Sequence, residues 1–115
     1  MKTYKLEKYG NTYEIALVKG TYASNGTLAI LMYLVENGEI TELWNDLTTN
    51  IPMSSAHDNF AYIDTNNNGK DIVEWLEKNK IGNDTLYSAS SGWCVYPLFK
   101  FNKKVLAEME DIENI

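Results

Sequence analysis

Two short turn sequences near the start of the chain constrain its fold more than any other feature. Gly10-Asn11 and Asn37-Gly38 each lie between segments rich in Tyr, Ile, Leu and Val. Such pairs tolerate the positive backbone dihedrals of a tight two-residue turn, so they are typical of β-hairpins. The strands predicted around these turns cover residues 3–9, 12–19, 28–35 and 39–50.

The remaining strand signals are shorter and more aromatic. Residues 28–35 are apolar throughout, which favours a central strand covered on both faces. Residues 60–63 and 93–101 predict two further strands, because both are rich in aromatic and β-branched side chains. Pro97 cannot donate a ladder hydrogen bond, so it indicates an edge position or a bulge in the last strand.

Two helices complete the predicted pattern. Asn68 is a candidate cap for the first helix, whose buried face carries Ile72, Val73 and Leu76, and Gly82 follows its last turn. The second helix is expected over residues 103–112. The order ββββ-β-α-β-α predicts a single α+β domain over residues 1–115, with a mainly antiparallel sheet of about five or six strands and two helices.

The charges exclude several classes of protein. The chain has 16 acidic residues and 10 basic residues, all of them Lys, and a net charge of -6. A chain without Arg is a poor binder of nucleic acid and of anionic membranes. The composition, with many Asn and Lys and no Arg, is what an AT-rich genome would produce. The alternative interpretation of this composition is an acidic surface that meets a basic partner. One Cys cannot form an internal disulfide, and we find no apolar run of signal length, so we expect a cytoplasmic protein.

Asp64-Thr65-Asn66-Asn67-Asn68-Gly69 is the most specific local motif. It matches the first half of an EF-hand calcium loop, where oxygen ligands alternate before a turn glycine. The second half fails, because Trp75 occupies the position that needs a bidentate Glu, and residues 60–63 predict a strand where an EF-hand has a helix. The motif therefore fits a strand-to-helix connection with Asx-turns, a weak adventitious cation site or a dedicated calcium site.

The sequence offers no catalytic constellation. Cys94 and His57 are the only thiol and imidazole, they lie on separate segments, and Cys94 fits a strand interior. A zinc site needs three or four such ligands, and the dispersed glycines do not form a phosphate loop. We therefore predict no enzymatic activity, no cofactor and no metal.

Several sequence blocks resemble those of a known family. They are Tyr9-Gly10-Asn11-Thr12-Tyr13-Glu14, Gly26-Thr27-Leu28-Ala29-Ile30, Leu47-Thr48-Thr49-Asn50-Ile51-Pro52, Tyr62-Ile63-Asp64-Thr65-Asn66-Asn67 and Ser91-Gly92-Trp93-Cys94-Val95-Tyr96-Pro97-Leu98. The chain resembles a small family of uncharacterised domains (a domain of unknown function) found in gut bacteria and their plasmids, phages and conjugative elements. The resemblance implies no enzymatic activity, and it implies an accessory protein of a mobile element.

Two functional hypotheses follow. The first is a non-enzymatic protein-binding module of a mobile element or phage, such as an anti-CRISPR-like inhibitor, which binds a basic host or defence-system protein as a monomer or homodimer. The alternative is a small-molecule or ion-binding domain with a pocket between residues 64–68 and 93–96. Trp44 is a further aromatic expected to be partly exposed. The predicted site residues are Asp64, Asn66, Asn67, Trp93 and Tyr96.

Overall fold

The computed structural model describes residues 1–52 and 58–115, which form nine strands and three short helices. The predicted α+β class is confirmed, but the strands are more numerous than expected. His57 lies outside the described residues. The strands are β1 (Tyr4–Lys8), β2 (Asn11–Thr21), β3 (Leu28–Glu36), β4 (Glu39–Asp46), β5 (Thr48–Thr49), β6 (Phe60–Ile63), β7 (Gly82–Ser91), β8 (Cys94–Phe101) and β9 (Glu110–Asp111). The helices are α1 (Thr65–Asn68), α2 (Asp71–Lys78) and α3 (Lys103–Glu108), with a 3-10 turn at Ile112–Asn114.

The strands form two sheets rather than the single sheet that was expected. The first sheet has the order β1-β2-β3-β4, and β9 pairs in parallel with the second half of β2. The second sheet has the order β5-β6-β8-β7, and all its pairs are antiparallel. The apolar segment at residues 28–35 forms β3, whose neighbours are β2 and β4, so its predicted central position is confirmed.

Both predicted hairpin turns are present. Asn37 and Gly38 have φ values of 54° and 79°, and Tyr9 and Gly10 have φ values of 52° and 76°. Two successive positive φ angles define the type I′ turn that suits the twist of a hairpin. The first turn is therefore centred one residue earlier than the Gly10-Asn11 pair suggested.

Leu47 divides the strand that was predicted over residues 39–50. It is fully buried, its N–H donates to the Ile30 carbonyl (3.0 Å), and its carbonyl accepts from the Asp64 N–H (2.9 Å). The chain therefore leaves the first sheet after β4 and enters the second sheet as β5. Asn45 and Asp46, which are rare in strands, are the local signal of this break in the predicted strand.

β7 was not predicted. Its sequence, with one Gly, one Asn, one Asp and three Ser, has low intrinsic strand propensity. Pairing with β8 over most of its length overrides that propensity, from Gly82 opposite Phe101 to Ser91 opposite Cys94.

The predicted caps of the first helix were wrong. Asp64 caps α1, Asn68 is the last residue of α1, and Lys70 precedes α2 at the N-cap position without a side-chain hydrogen bond. Lys80, not Gly82, ends α2: its φ is 59°, and its N–H donates to the Glu77 carbonyl (3.0 Å) in a Schellman arrangement.

Gly82 serves a different purpose at the start of β7. A Cβ at Gly82 would lie 2.6 Å from the Phe99 ring and 2.9 Å from the Phe101 Cα, and it would overlap the Lys100 carbonyl. The sequence places glycine there because β7 approaches β8 too closely for a side chain.

The last helix is shorter than predicted. Asn102 caps α3 through a hydrogen bond from the Lys104 N–H (2.9 Å), and Met109 is already extended. The residues that follow pair with β2 as β9, so sheet pairing replaces the last helical turn.

One apolar cluster spans both sheets and α2. Its largest members are completely buried, and Phe99 and Phe101 meet edge to face with 5.0 Å between ring centres. The cluster contains Tyr4, Leu6, Ile15, Leu17, Ile30, Met32, Leu47, Ala61, Ile63, Ile72, Leu76, Ile81, Phe99 and Phe101.

Candidate functional site

The β7–β8 hairpin extends beyond the second sheet. β6 pairs with β8 only over Leu98–Lys100, whereas β7 continues to pair with β8 up to Ser91 and Cys94. We call residues 85–97 the arm, since they lack the support of β6. Pro97 lies in this stretch. β8 has no partner there on the side of β6, and a register shift in β7 lies next to Ser88, the residue opposite Pro97. Both features allow a residue without a backbone N–H.

Large apolar side chains on the arm are exposed to solvent. The exposed fractions are 90% for Leu86, 75% for Tyr87, 103% for Trp93 and 59% for Val95. These four residues are half of the eight large apolar side chains that are exposed in the described part of the chain. Because their burial in a partner would be favourable, such a concentration on one element marks a candidate contact surface.

The arm carries no charge. The chain has no Asp, Glu, Lys or Arg between Asp84 and Lys100. Charged residues are depleted from the centres of protein interfaces, and aromatic residues are enriched there. The composition of the arm therefore resembles the centre of an interface.

A strained residue lies at the base of the arm. Leu86 has a φ of 70°, which is rare for a residue with a bulky side chain. Side chains hold this bulge: the Leu86 N–H donates to Asp84 Oδ1 (2.9 Å), and the Thr85 hydroxyl donates to the Leu98 carbonyl (2.8 Å). The backbone thus presents Leu86 to solvent at a conformational cost.

Asp64 and its neighbours form a structural connection. Asp64 is 8% exposed, and its carboxylate accepts hydrogen bonds from the Asn67 backbone N–H (3.1 Å) and side-chain amide (2.7 Å). Asn66 and Asn67 are exposed. The carboxylate therefore caps α1, as the Asx-turn interpretation expected.

Asn68, which was not among the predicted site residues, is the most connected polar side chain of this segment. It is buried, and its amide donates to the carbonyls of Asp46 and Asp64, each at 2.9 Å. Its side-chain oxygen accepts from Asn45 Nδ2 (3.1 Å). The Asn-rich sequence thus joins the end of β4 to the start of α1.

Tyr96 and Asp64, two of the five predicted site residues, lie close enough for the charge of Asp64 to affect the pKa of Tyr96. The pKa of Tyr96 is raised, first by its hydrogen bond with the Cys94 side chain, then by desolvation and by the charges of Cys94 and Asp64. Trp93 lies in the turn at the tip of the arm and is fully exposed. Asp64 therefore has a structural role as the cap of α1, Trp93 belongs to the exposed surface of the arm, and Tyr96 is half-buried between these two environments.

Leu86, Tyr87 and Val95 belong to this surface but were not predicted. The signal that could have identified them is the uncharged stretch from Thr85 to Phe99 in a chain that is 23% charged. Their exposure depends on β6 ending early, which the sequence does not indicate.

The described residues were searched for groups of metal ligands and for helices that could span a membrane. Within residues 1–52 and 58–115, we find no group of three or more His, Cys, Asp or Glu side chains that could hold a metal ion. The helices of this part of the chain are too short or too polar to cross a membrane.

Comparison with known proteins gives one family. Searches of curated proteins and of solved structures found no match. A family described as a domain of unknown function (DUF4313) matches residues 16–113, from within β2 to the final 3-10 turn. This match confirms the resemblance to an uncharacterised domain family. The chain therefore belongs to the DUF4313 family.

Proposed function

We propose that this domain is a non-enzymatic protein-binding module and that the arm is its contact surface. The observation that carries the proposal is the complete exposure of Trp93 on an uncharged hairpin. Trp and Tyr dominate the binding energy of protein interfaces because each buries a large apolar surface with little loss of rotamer entropy.

The exposed area suits the centre of an interface of ordinary size. An aromatic side chain buries about 150–250 Å², so Trp93 and Tyr87 together offer roughly 300–500 Å². A standard interface buries about 800 Å² on each partner. The two aromatic side chains would thus form about half of such an interface, and Leu86 and Val95 are exposed on the same hairpin.

The strain at Leu86 supports the same surface. An exposed leucine with positive φ costs stability and makes no contact in the core. A partner that buries this side chain gives the conformation a purpose, since the backbone already holds the leucine in its binding position. Glycine at this position should relieve the strain and remove the contact at once.

We propose that the partner is a basic host or defence-system protein in the cytoplasm and that the domain is an accessory protein of a mobile element. The net charge of -6 favours approach to a Lys- and Arg-rich surface, and the uncharged arm then makes the close contact. The most specific form is an anti-CRISPR-like inhibitor that occupies the basic channel of an RNA-guided nuclease.

Quantitative affinity capture tests the arm. The tagged domain is incubated at low salt with a lysate of a gut bacterium that carries a CRISPR system, and retained proteins are quantified by mass spectrometry. We expect Trp93→Ser and Leu86→Gly each to reduce retention of the partner at least about tenfold, because truncating a central residue of an interface costs about 2 kcal/mol.

Tyr9→Asn is the matched control. Tyr9 is 83% exposed and has a positive φ, but it lies in the β1–β2 turn, so its replacement removes an aromatic side chain outside the arm. Retention should be unchanged in this variant. A protein retained equally by all three variants, or no retained protein at all, would contradict the proposal.

A cleavage assay tests the anti-defence form. The purified nuclease of that lysate is mixed with guide RNA, target DNA and increasing amounts of the domain. Inhibition should weaken when salt is raised, because the approach is electrostatic, and it should be lost with Trp93→Ser. Undiminished cleavage at a large excess of the domain would contradict the anti-CRISPR-like function. The capture experiment would still test whether the domain is a protein-binding module.

A further inference from the structure

An open groove of about 530 Å³ lies between β1 and α2, in a different part of the molecule from the arm. Cavities that hold small ligands usually measure about 300–1,000 Å³. The groove therefore has the size of a small-molecule site.

The edge strands β1 and β4 of the first sheet are both hydrogen-bonded to Asn68, the last residue of α1. These contacts shape the groove. Lys8 Nζ on β1 donates to the Asn68 carbonyl (3.2 Å), and Asn45 Nδ2 on β4 donates to Asn68 Oδ1 (3.1 Å). Across the groove, the Trp75 indole N–H of α2 donates to the Lys5 carbonyl (2.8 Å). These hydrogen bonds fix the walls on both sides.

Two indoles line the groove in fixed positions. The Trp44 ring packs against Tyr13 at 4.7 Å between ring centres, and the Trp75 ring meets Tyr4 edge to face at 6.1 Å. Both Trp side chains are half-buried, so part of each indole remains accessible. Indoles held in this way offer a planar ligand a preformed surface with little loss of rotamer entropy.

The charge of the groove is opposite to that of the whole chain. Three of the ten lysines, Lys5, Lys8 and Lys78, line it together with two acids, Glu7 and Asp71. The lining is therefore net positive although the chain carries -6. Among the described residues, the ammonium groups of Lys5 and Lys78 take part in no hydrogen bond or ion pair.

We propose that this groove binds a small organic anion with a planar aromatic body. The aromatic ring packs against the indoles of Trp44 and Trp75, and the anionic group, a carboxylate, sulfonate or phosphate, lies near the ammonium groups of Lys5 and Lys78. The two indoles distinguish this groove from a second open depression of the same volume, which is lined by Lys80, Lys100 and Lys103 but by no Trp.

A pair of matched probes tests this proposal. The anionic probe is 8-anilinonaphthalene-1-sulfonate, and the neutral probe is N-phenyl-1-naphthylamine, which has the same rings without the sulfonate. We expect the anionic probe to bind the folded protein with a stoichiometry of one and several-fold more tightly than the neutral probe, because only the former engages the exposed ammonium groups.

The three Trp residues report where the probe binds. Each indole N–H gives one signal in a ¹H–¹⁵N spectrum, and single substitutions assign the three signals. The anionic probe should shift the signals of Trp44 and Trp75 and leave that of Trp93 unchanged. A shift of the Trp93 signal alone would place the probe on the arm and overturn the proposal.

Charge reversal provides the second test. In the double variant Lys5→Glu/Lys78→Glu, the affinity for the anionic probe should fall at least about tenfold. The control Lys103→Glu/Lys104→Glu makes the same change in net charge on α3, where both side chains are also exposed, and should bind like the wild type. Equal losses in both variants, equal binding of both probes, or no binding of the anionic probe would each overturn the proposal. Melting temperatures verify that both variants remain folded.

Discussion

Replacing Gly82 with Ala adds only one methyl group, but it should destabilise the fold substantially. The added Cβ would lie 2.6 Å from the Phe99 ring and 2.9 Å from the Phe101 Cα, and it would overlap the Lys100 carbonyl. Two of these neighbours are backbone atoms of the paired strand, and both phenylalanines are completely buried. No flexible side chain can therefore move aside to make room.

The magnitude follows from this geometry. Inserting a methyl group into a packed interior costs about 1–3 kcal/mol, and contact with rigid backbone places Gly82→Ala at the upper end of that range. The lower backbone entropy of Ala in the unfolded chain recovers about 0.5–1 kcal/mol. We expect a net loss of about 2 kcal/mol in the free energy of unfolding. At roughly 4 °C per kcal/mol for a domain of this size, the melting temperature should fall by about 8 °C.

Urea unfolding followed by Trp fluorescence and far-UV circular dichroism measures this loss. Gly20→Ala is the control, because a Cβ there would meet only the side chain of Ile112, at 2.8 Å from its Cγ2. That methyl group can rotate, so we expect a loss below about 1 kcal/mol. If Gly82→Ala lost no more stability than Gly20→Ala, the close approach of β7 to β8 would not be a rigid constraint, and the reasoning would fail.

Three further substitutions or conditions test the connections that hold the fold. Asn68→Ala should lower the free energy of unfolding by about 3 kcal/mol, because three side-chain hydrogen bonds are lost. In urea unfolding, the exposed control Asn66→Ala should change this free energy by less than about 0.5 kcal/mol. Equal losses in the two variants would contradict the structural role of Asn68. Lys80→Gly should raise the melting temperature, since φ is 59° there and glycine accepts this conformation at a gain of about 0.5–1 kcal/mol; a lower melting temperature would refute the strain. Stability should fall as the pH rises above about 10, because burial first and nearby carboxylates second raise the pKa of Tyr4 and Tyr22, so the unfolded chain releases its phenolic protons first. Urea midpoints between pH 9 and 11 measure this fall, and a midpoint that did not change would contradict it.

The hairpins and the central strand could be predicted because their signals are local. Asn37 and Gly38 adopt positive φ angles wherever they form a tight turn, and an apolar run such as residues 28–35 must be covered on both faces. The strand β7 could not be predicted in this way. Its own residues have low strand propensity, and they form a strand because β8, which follows across the Gly92-Trp93 turn, offers a partner.

Only part of the candidate site could be predicted, because some of its features are local in the sequence and others depend on how the strands pair. Trp93 could be singled out because an aromatic next to a glycine turn is often exposed, but the exposure of Leu86 and Val95 depends on where β6 stops pairing with β8. Asp64 gave the most specific motif, yet its carboxylate is used to cap α1. Motifs of Asp and Asn serve turns and caps more often than ligands, because the same short side chains suit both.

The arm is separable from the stability of the domain. All fourteen members of the apolar cluster lie outside residues 85–97, so the core is complete without the exposed side chains of the arm. A variant such as Trp93→Ser should therefore leave the free energy of unfolding within about 0.5 kcal/mol of the wild type. Neither the fully exposed Trp93 at the tip of the arm nor the strained Leu86 at its base contributes to the apolar cluster. If these residues serve only the fold, Leu86→Gly should raise stability without any loss of binding, and if they serve a partner, the same variant should gain stability and lose the partner.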